Sequence, residues 1–299
     1  MDNSSRFDRD FHIPVLLKET IEALEVKKDS VYVDGTIGGG GHTEEILKLG
    51  GRVLGIDQDQ DAILHLNKKF ESEIKDGRLI LAKANFRDME KVAKENGIKK
   101  VSGILLDLGV SSYQIDKSQR GFSFRRDEPL DMRMSDTLES NAYYFVNKSS
   151  EEELYEMILK FGEEAKAKEI ASAIVMGRQT KPIETTFELS QIIGSVVKNP
   201  GMINPATKTF QAIRIVVNDE LGSLRDGLSV GFELLDEGGR FSIISFHSLE
   251  DRVVKLFFLE KSRTGKAILI NKKPILAGDD EIRRNKRSRS AKLRTIQKI

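Results

Sequence analysis

VYVDGTIGGGGHTEEILKLGGRVLGID, residues 31–57, is the stretch on which the fold turns. A short apolar strand, 31–34, runs into a glycine loop that opens a helix, TEEILKLG. That helix stops at Gly50 or Gly51, and a second strand, 52–57, follows at once. The same alternation continues downstream. RLILAK (78–83) is a third strand, a helical stretch runs from Asp88 to Gly97, and VSGILLDLG (101–109) is a fourth strand. Strands that are apolar along most of their length and alternate with helices predict a parallel sheet covered on both faces. The expected fold class is α/β, a doubly wound, mostly parallel sheet.

The alternation stops after the fourth strand. GFSFRRDEPLDMRM (121–134) has no period and reads as an ordered loop, and from Ser150 the text is helical through TFELSQIIGSVV. The α/β pattern resumes after Thr207. A single long amphipathic helix is expected through QAIRIVVNDELGSLRDGLSVGFELL, in which Ile213, Val216, Val217 and Leu221 form a core stripe. A turn at DEGG (236–239), a strand RFSIISF (240–246), a helix SLEDRVVKLFFLEKS and a late strand AILINK (267–272) follow. The expected organisation is a discontinuous α/β domain, 1–114 and 207–299, split by a mostly helical insertion, 115–206. The insertion is the natural place for substrate recognition.

Composition narrows the function classes. At 299 residues, 39% hydrophobic and 32% charged, the chain can bury a sizeable core, and no run approaches the roughly 18 apolar residues of a membrane span. Its first residues, MDNSSRFDRDF, are polar and acidic, unlike a secretory signal, so the expected setting is cytoplasmic. There is no cysteine, which excludes disulfides, a thiolate nucleophile and zinc–thiolate sites. The four histidines (12, 42, 65 and 247) are too scattered to suggest a metal cluster. The net charge of +1 hides an asymmetry. Arg283, Arg284, Lys286, Arg287, Arg289, Lys292, Arg294 and Lys298 carry eight positive charges with no acid among them. Such a run reads either as a docking tail for a polyanion or as a solvated tail. As a tail, it would be removable after Ile282 without loss of cofactor affinity.

Glycines between a strand and a helix let a ligand approach the backbone and the helix N-terminus. Two familiar phosphate-binding patterns fail here. Gly41 stands where a P-loop needs lysine, and Thr43 or Glu44 stands where a dinucleotide fingerprint needs its third glycine. That argues against a nicotinamide-dependent dehydrogenase. A cofactor with a diol and a carboxylate but no phosphate, S-adenosylmethionine, fits better. Asp57 closes the second strand, where an acid can accept from ribose hydroxyls, and Asp107 closes the fourth.

HIPVLL (12–17), DGTIGGGGH (34–42), GILLDLGVSS (103–112), RGFSFRRDEPLDMRM (120–134), TFQAIRIVVNDEL (209–221) and ISFHSLEDR (244–252) together resemble the bacterial cytosine-N4 methyltransferases of small-subunit ribosomal RNA, the MraW/RsmH family. The resemblance runs in order from His12 to about Arg294. It implies a class I, Rossmann-like methyltransferase that uses S-adenosylmethionine on a cytosine amine in the decoding region. Its RNA substrate could be naked or already in the assembled subunit, and the oligomeric state is left open. Carried over by position, the resemblance implies cofactor contacts from Gly40, Gly41, His42, Asp57, Phe86, Asp107 and Gln114, with Phe86 on the adenine. Tyr113 and Lys286 stand where proline is common in that family, and GEEAKAKEI is less basic than its usual counterpart.

Methyl transfer to an amine needs positioning and a proton acceptor rather than a metal. Asp107 is the expected acceptor, a role it would share with cofactor binding. A target base must be exposed and stacked. Phe246 is the leading stacking candidate, ahead of Tyr113, Phe122 and Phe124; core packing is its alternative role. His247 beside it, and Arg287 and Arg289 in the basic run, are the other expected substrate contacts. Arg125, Arg126 and Arg133 lie among Asp127, Glu128 and Asp131, which suits internal salt bridges as well as phosphate contact. Two further readings stay open. One is an RNA-binding protein holding the cofactor structurally, and the other is a methyltransferase for protein or small molecules, which would not need the basic run.

Overall fold

The computed structural model describes residues 14–198 and 204–299; His12 and Pro200 lie outside them. The chain divides into two compact units, residues 1–111 with 221–299 and residues 112–220.

The first unit is built on one eight-stranded sheet. Its strands are β1 (Val31–Asp34), β2 (Arg52–Asp57), β3 (Leu79–Lys83), β4 (Val101–Asp107), β5 (Leu235–Ser245), β6 (Ala267–Leu269), β7 (Ile275–Leu276) and β8 (Lys292–Lys298), in the order β3-β2-β1-β4-β5-β8-β6, with β7 also on β8. The first five in that order are mutually parallel, and β8 runs antiparallel to its neighbours. Alternate residues of each central strand enter different cores, as the two-residue period of a strand requires. Val33, Leu54, Ile56, Ile104 and Leu106 pack with Met89, Leu224, Leu228, Phe232 and Phe258. Tyr32, Val53 and Leu105 pack on the other face with Leu24, Ile46, Leu66 and Phe70. Both faces are covered, so the strands are apolar throughout. The order reverses between β1 and β4, and in such sheets the ligand crevice lies outside the carboxyl ends at that switch.

Three expectations change here. DEGG is not a turn before β5 but lies inside it. Pairing jumps from Val101↔Leu235 to Gly103↔Arg240, so these residues bulge from a strand that has already begun. The long helix after Thr207 is two helices, Thr207–Asn218 and Glu220–Leu234, separated by Asp219 in the left-handed region at φ 45°. The first of them buries Phe210, Ala212, Ile213 and Val217 among the helices of the second unit, with Leu154, Ile158 and Ile170. Residues 207–218 therefore belong with the insertion, not with the sheet.

The basic run is the third correction. Arg283 and Arg284 end a short helix, Lys286, Arg287 and Arg289 form a single turn, and the remainder is strand β8, with Leu293 and Ile296 fully buried. Most of its cations have internal partners: Arg283 and Arg284 meet Asp280, Lys292 meets Asp251, and two more are held closely. Arg294 grips Asp251 through Nε at 2.6 Å, which helps hold that carboxyl below its usual range against the opposing effect of burial. Lys298 Nζ donates to the carbonyls of Phe232 and Leu235, both at 2.9 Å, at the end of helix Glu220–Leu234, where a cation opposes the helix dipole.

The second unit is helical: Ser112–Asp116, Ala142–Lys148, Glu151–Gly162, Ala167–Thr180, Thr186–Val196 and Thr207–Asn218. Segment 121–134 is ordered by bonds within itself and to other parts of the second unit. The Gly121 amide donates to Glu128 Oε2 at 2.9 Å and the Leu130 amide to the Glu184 carbonyl at 3.0 Å. Arg133 forks onto Asp131 at 2.8 and 2.9 Å, whereas Arg125 and Arg126 are exposed. Phe122 and Phe124 pack against the helical core, Phe124 edge-on to Phe210 at 5.5 Å.

Removing residues 283–299 would strip β5 and β6 of their common neighbour. The truncated chain should therefore fail to give a cooperative thermal unfolding transition by circular dichroism. A truncation that melts like the full chain would mean that β8 is dispensable.

Candidate active site

Asp34, Asp57 and Asp107 each end a strand, β1, β2 and β4, on the same carboxyl edge of the sheet. The glycine loop after β1 is laced to both neighbouring strands. The Gly35 amide donates to the Leu105 carbonyl at 2.9 Å, and the Ile37 amide to the Ile56 carbonyl at 3.0 Å. The Gly38 amide donates to Asp57 Oδ2 at 2.9 Å, and the Asp107 amide to Thr36 Oγ1 at 2.6 Å. Gly40, at φ 76°, precedes the helix Gly41–Lys48. A Cβ there would lie 2.6 Å from the Phe70 ring, so both conformation and packing demand glycine.

Asp34 is buried at the centre of this lacing. It accepts from Thr43 Oγ1 at 2.8 Å and from the Thr36 amide at 3.4 Å. Burial pushes its carboxyl up to about 7; those two hydrogen bonds oppose the shift, while the charges of Asp107 and Asp57 add to it. Asp57 accepts from the amides of Gly38 and Asp59, each at 2.9 Å, and burial pushes it up to about 6. His42 is buried in the first turn of that helix. Its Nε2 sits 3.1 Å from the Val15 carbonyl, which can only accept, so Nε2 carries the proton. Its Nδ1 faces Asp107 Oδ2 at 3.9 Å.

Phe86 follows β3 and is half-buried. Its ring occupies the space above Gly227, where a Cβ would come within 2.5 Å of it. On the far side of β4, Asp107 pairs in register with Ile244 of β5. Phe246, just past the end of β5, has its ring 3.6 Å from where a Cβ of Gly109 would lie, and its other contacts are with the cluster of Val15, Leu16, Ile244 and Leu293. It is thus both packed and at the carboxyl edge, beside the Asp107 segment. His247 caps the helix Ser248–Arg263. Its Nδ1 accepts from the Glu250 amide at 3.4 Å, and Glu250 Oε2 accepts from the amides of Phe246 and His247 at 2.8 and 3.3 Å. That geometry gives His247 a structural role and makes Glu250 the clamp on both residues.

The first unit thus brings together Gly40, Gly41, His42, Asp57, Phe86 and Asp107 around the switch, with Phe246 and His247 at the next strand end. The turn carrying Arg287 and Arg289 leads directly into Ala291, which packs in the Phe246 cluster; Arg289 is exposed and Arg287 partly so. Gln114 is buried on the short helix Ser112–Asp116 of the second unit. Asp34, Thr36 and Thr43 are the members that sequence reading passes over. The clue was Asp-Gly-Thr, an acid with a backbone donor two residues on.

Residues 9–299 match the family model described as the MraW methylase family. The chain belongs to that family. Among its relatives are proteins named ribosomal RNA small subunit methyltransferase H. That of Persephonella marina is 47% identical and that of Carboxydothermus hydrogenoformans 46%; the alignments cover 96% of this chain and 99% and 98% of theirs. Three of the strings that suggested the resemblance fall on the glycine loop, the end of β4 and the β5 terminus, and two others, 120–134 and 209–221, lie wholly or mostly in the second unit. In this member of the MraW methylase family, no helix among the described residues is long and apolar enough to cross a membrane.

The raised carboxyls set a sign for pH dependence. A carboxyl whose folded pKa exceeds its unfolded value stabilises the fold at low pH, and that contribution fades as pH rises through the window. For Asp34 the window runs from about 4 to about 7. Thermal stability of the free protein should therefore decline from pH 5 to 7, and Asp34→Asn should flatten the decline. Thr43→Val should cost about 1–3 kcal/mol by taking a donor from a buried acceptor. An unchanged pH slope in Asp34→Asn would remove Asp34 from this account.

Proposed function

We propose that this protein uses S-adenosylmethionine to methylate the exocyclic N4 amine of a cytosine in small-subunit ribosomal RNA. The observation that carries the reading is that Asp107 and Phe246, an acid and an aromatic ring, stand at the ends of adjacent strands in a chain without cysteine. The names of its relatives support the RNA substrate, and a ribosomal substrate agrees with a cytoplasmic setting.

The residues at the switch fit the cofactor. Asp57 is held by the backbone donors Gly38, Asp59 and Gln58, and a carboxylate has about four acceptor sites, which leaves room for a ribose hydroxyl. The helix Gly41–Lys48 has no side-chain cap, so its first amides are available to a carboxylate. Phe86, half-buried beside Gly35 and Gly227, would offer ring surface to the adenine. The cofactor, when bound, supplies an electrophilic methyl group on a sulfonium.

The chain's own contribution is placement and proton handling. The cytosine amine is a weak nucleophile because its lone pair is delocalised into the ring. Asp107, accepting a hydrogen bond from that amine, localises the pair on nitrogen. Asp107 Oδ would take the amine proton that methylation displaces. Phe246 stacks on the extruded base, and Glu250 holds the Phe246 backbone in place. Carbon-5 methylation ordinarily requires a cysteine thiolate to add at carbon 6, a route closed to this chain. A ribose hydroxyl is commonly activated by lysine, and no lysine adjoins Asp107 in sequence.

Digested substrate RNA should yield N4-methylcytidine by mass spectrometry; 5-methylcytidine or 2′-O-methylcytidine would sink the reading. Asp107→Asn should lose most activity, with cofactor affinity measured in parallel to apportion the loss. Asp57→Ala removes charge-assisted hydrogen bonds worth roughly 1.5–3 kcal/mol. Cofactor affinity by calorimetry should therefore drop by about one to two orders of magnitude. Because burial holds Asp57 at about 6 in the free protein, wild-type affinity should also weaken as pH falls below that value. An affinity flat from pH 7 to 5 would take the ribose contact away from Asp57.

A further inference from the structure

The sheet has a second concavity, at the edge opposite the site. A groove of about 410 Å³ is lined by Val31, Arg52, Val53, Gly77, Arg78, Ile80 and the segment 96–100, which ends in Lys99 and Lys100. These residues start β1, β2, β3 and β4, whereas the acids of the site end β1, β2 and β4. Along β2, Arg52 and Asp57 are five residues apart, about 16 Å at roughly 3.3 Å per residue.

Four cations from three separate segments line this groove, and no acidic side chain does. Arg78 is tied to Glu73 at 3.3 Å and Asp76 at 3.6 Å, and Lys100 donates to the Glu233 carbonyl. The other two keep their charge for an outside partner. Arg52 touches only the Gly77 carbonyl, at 3.4 Å, and Lys99 has no hydrogen bond or ion pair among the described residues; both are exposed. In a chain of net charge +1, this is a local excess of one sign. The lining also contains no aromatic ring. A groove that recognised a base or a free nucleotide would be expected to offer a stacking surface. Cations strung along several strand ends without such a surface suit the phosphates of a continuous strand, which position the nucleic acid without reading its sequence.

We propose that the groove is a second RNA contact: it binds the phosphate backbone of the same RNA whose target base enters at the carboxyl edge. This rests on ribosomal RNA being the substrate. A folded ribosomal RNA is far larger than the site, so its flanking backbone can reach both edges of the sheet.

The test is Arg52→Glu with Lys99→Glu, in the full chain, against protein-free small-subunit RNA. Each lost phosphate contact should reduce the slope of log affinity against log salt by about 0.7–0.9, so the pair should reduce it by about 1.5. KM for RNA should rise severalfold, with kcat at saturating RNA and the affinity for S-adenosylmethionine unchanged. A control pair of equal charge change on an exposed helix face, Lys255→Glu with Arg263→Glu, should leave the slope within half a unit of wild type. An unchanged slope in the groove variant, or an equal loss in the control, overturns the proposal. So does a defect seen only with assembled subunits and not with protein-free RNA, which would make the partner an acidic protein surface. Failure of the substrate reading looks different, because wild-type protein would then neither bind nor methylate the RNA, whether protein-free or in the assembled subunit.

Discussion

The hydrogen bond from the Asp107 amide to the Thr36 hydroxyl ties the end of β4 to the loop that leaves β1. It carries the join between these two strands, where the strand order reverses, past their last ladder pair, Asp34↔Leu105. Thr36 also donates its own amide to Asp34, and Asp34 receives Thr43 from the following helix. Two threonines and one buried acid thus fix the loop, the helix start and two strand ends relative to one another. Asp57 joins through Gly38. Without this lacing, four glycines between strand and helix would leave the ligand-facing backbone free to wander. Holding carboxylates this close together out of water raises the pKa of Asp34 and Asp57 alike. That cost to the fold is borne where the chemistry needs acceptors.

The parallel half of the sheet was readable because burial on both faces leaves a simple mark. VYV, VLGI and ILL are apolar at successive positions, and the first two are each followed by a helix with its own period. Strand β8 carries no such mark. In KLRTIQK the buried positions include Arg294 and Thr295, which are tolerated only because Asp251 and the Ser242 hydroxyl meet them across the sheet. A strand whose polar residues are satisfied by distant partners looks like a solvated tail when read alone. The break at Asp219 was hidden for a related reason. Local helix periodicity continues through it, and only tertiary packing sends the residues on its two sides to different cores.

The site was legible in part. Asp57 and Asp107 show themselves as acids ending apolar strands. Asp34 does the same, but its role depends on Thr36 and Thr43, a pairing that no spacing rule announces. FHSLEDR illustrates the opposite case, a distinctive string whose residues are mostly architectural. His247 and Glu250 cap a helix, Asp251 anchors β8, and only Phe246 is left facing the edge where a base would lie. Distinctive sequence here marks a place that must be rigid, and rigidity next to a reactive edge serves the reaction through its neighbours.

Strand β8 lies between β5 and β6, and among the described residues β6 has no other strand partner than β8. The order in space therefore differs from the order of synthesis. The five parallel strands can associate while the chain is still emerging, but β6 must wait, unpaired, for a segment made later. Until β8 slides into the gap, β5 exposes an open edge with Phe241, Ile243 and Ile244 beside it, the kind of surface on which nascent chains cross-pair. Closing the sheet is thus a long-range, late event in the life of each molecule. A pause in translation or a proteolytic nick shortly before residue 292 would release a polypeptide that has built nearly all of its reactive edge and yet keeps one side of its sheet open to any strand it meets.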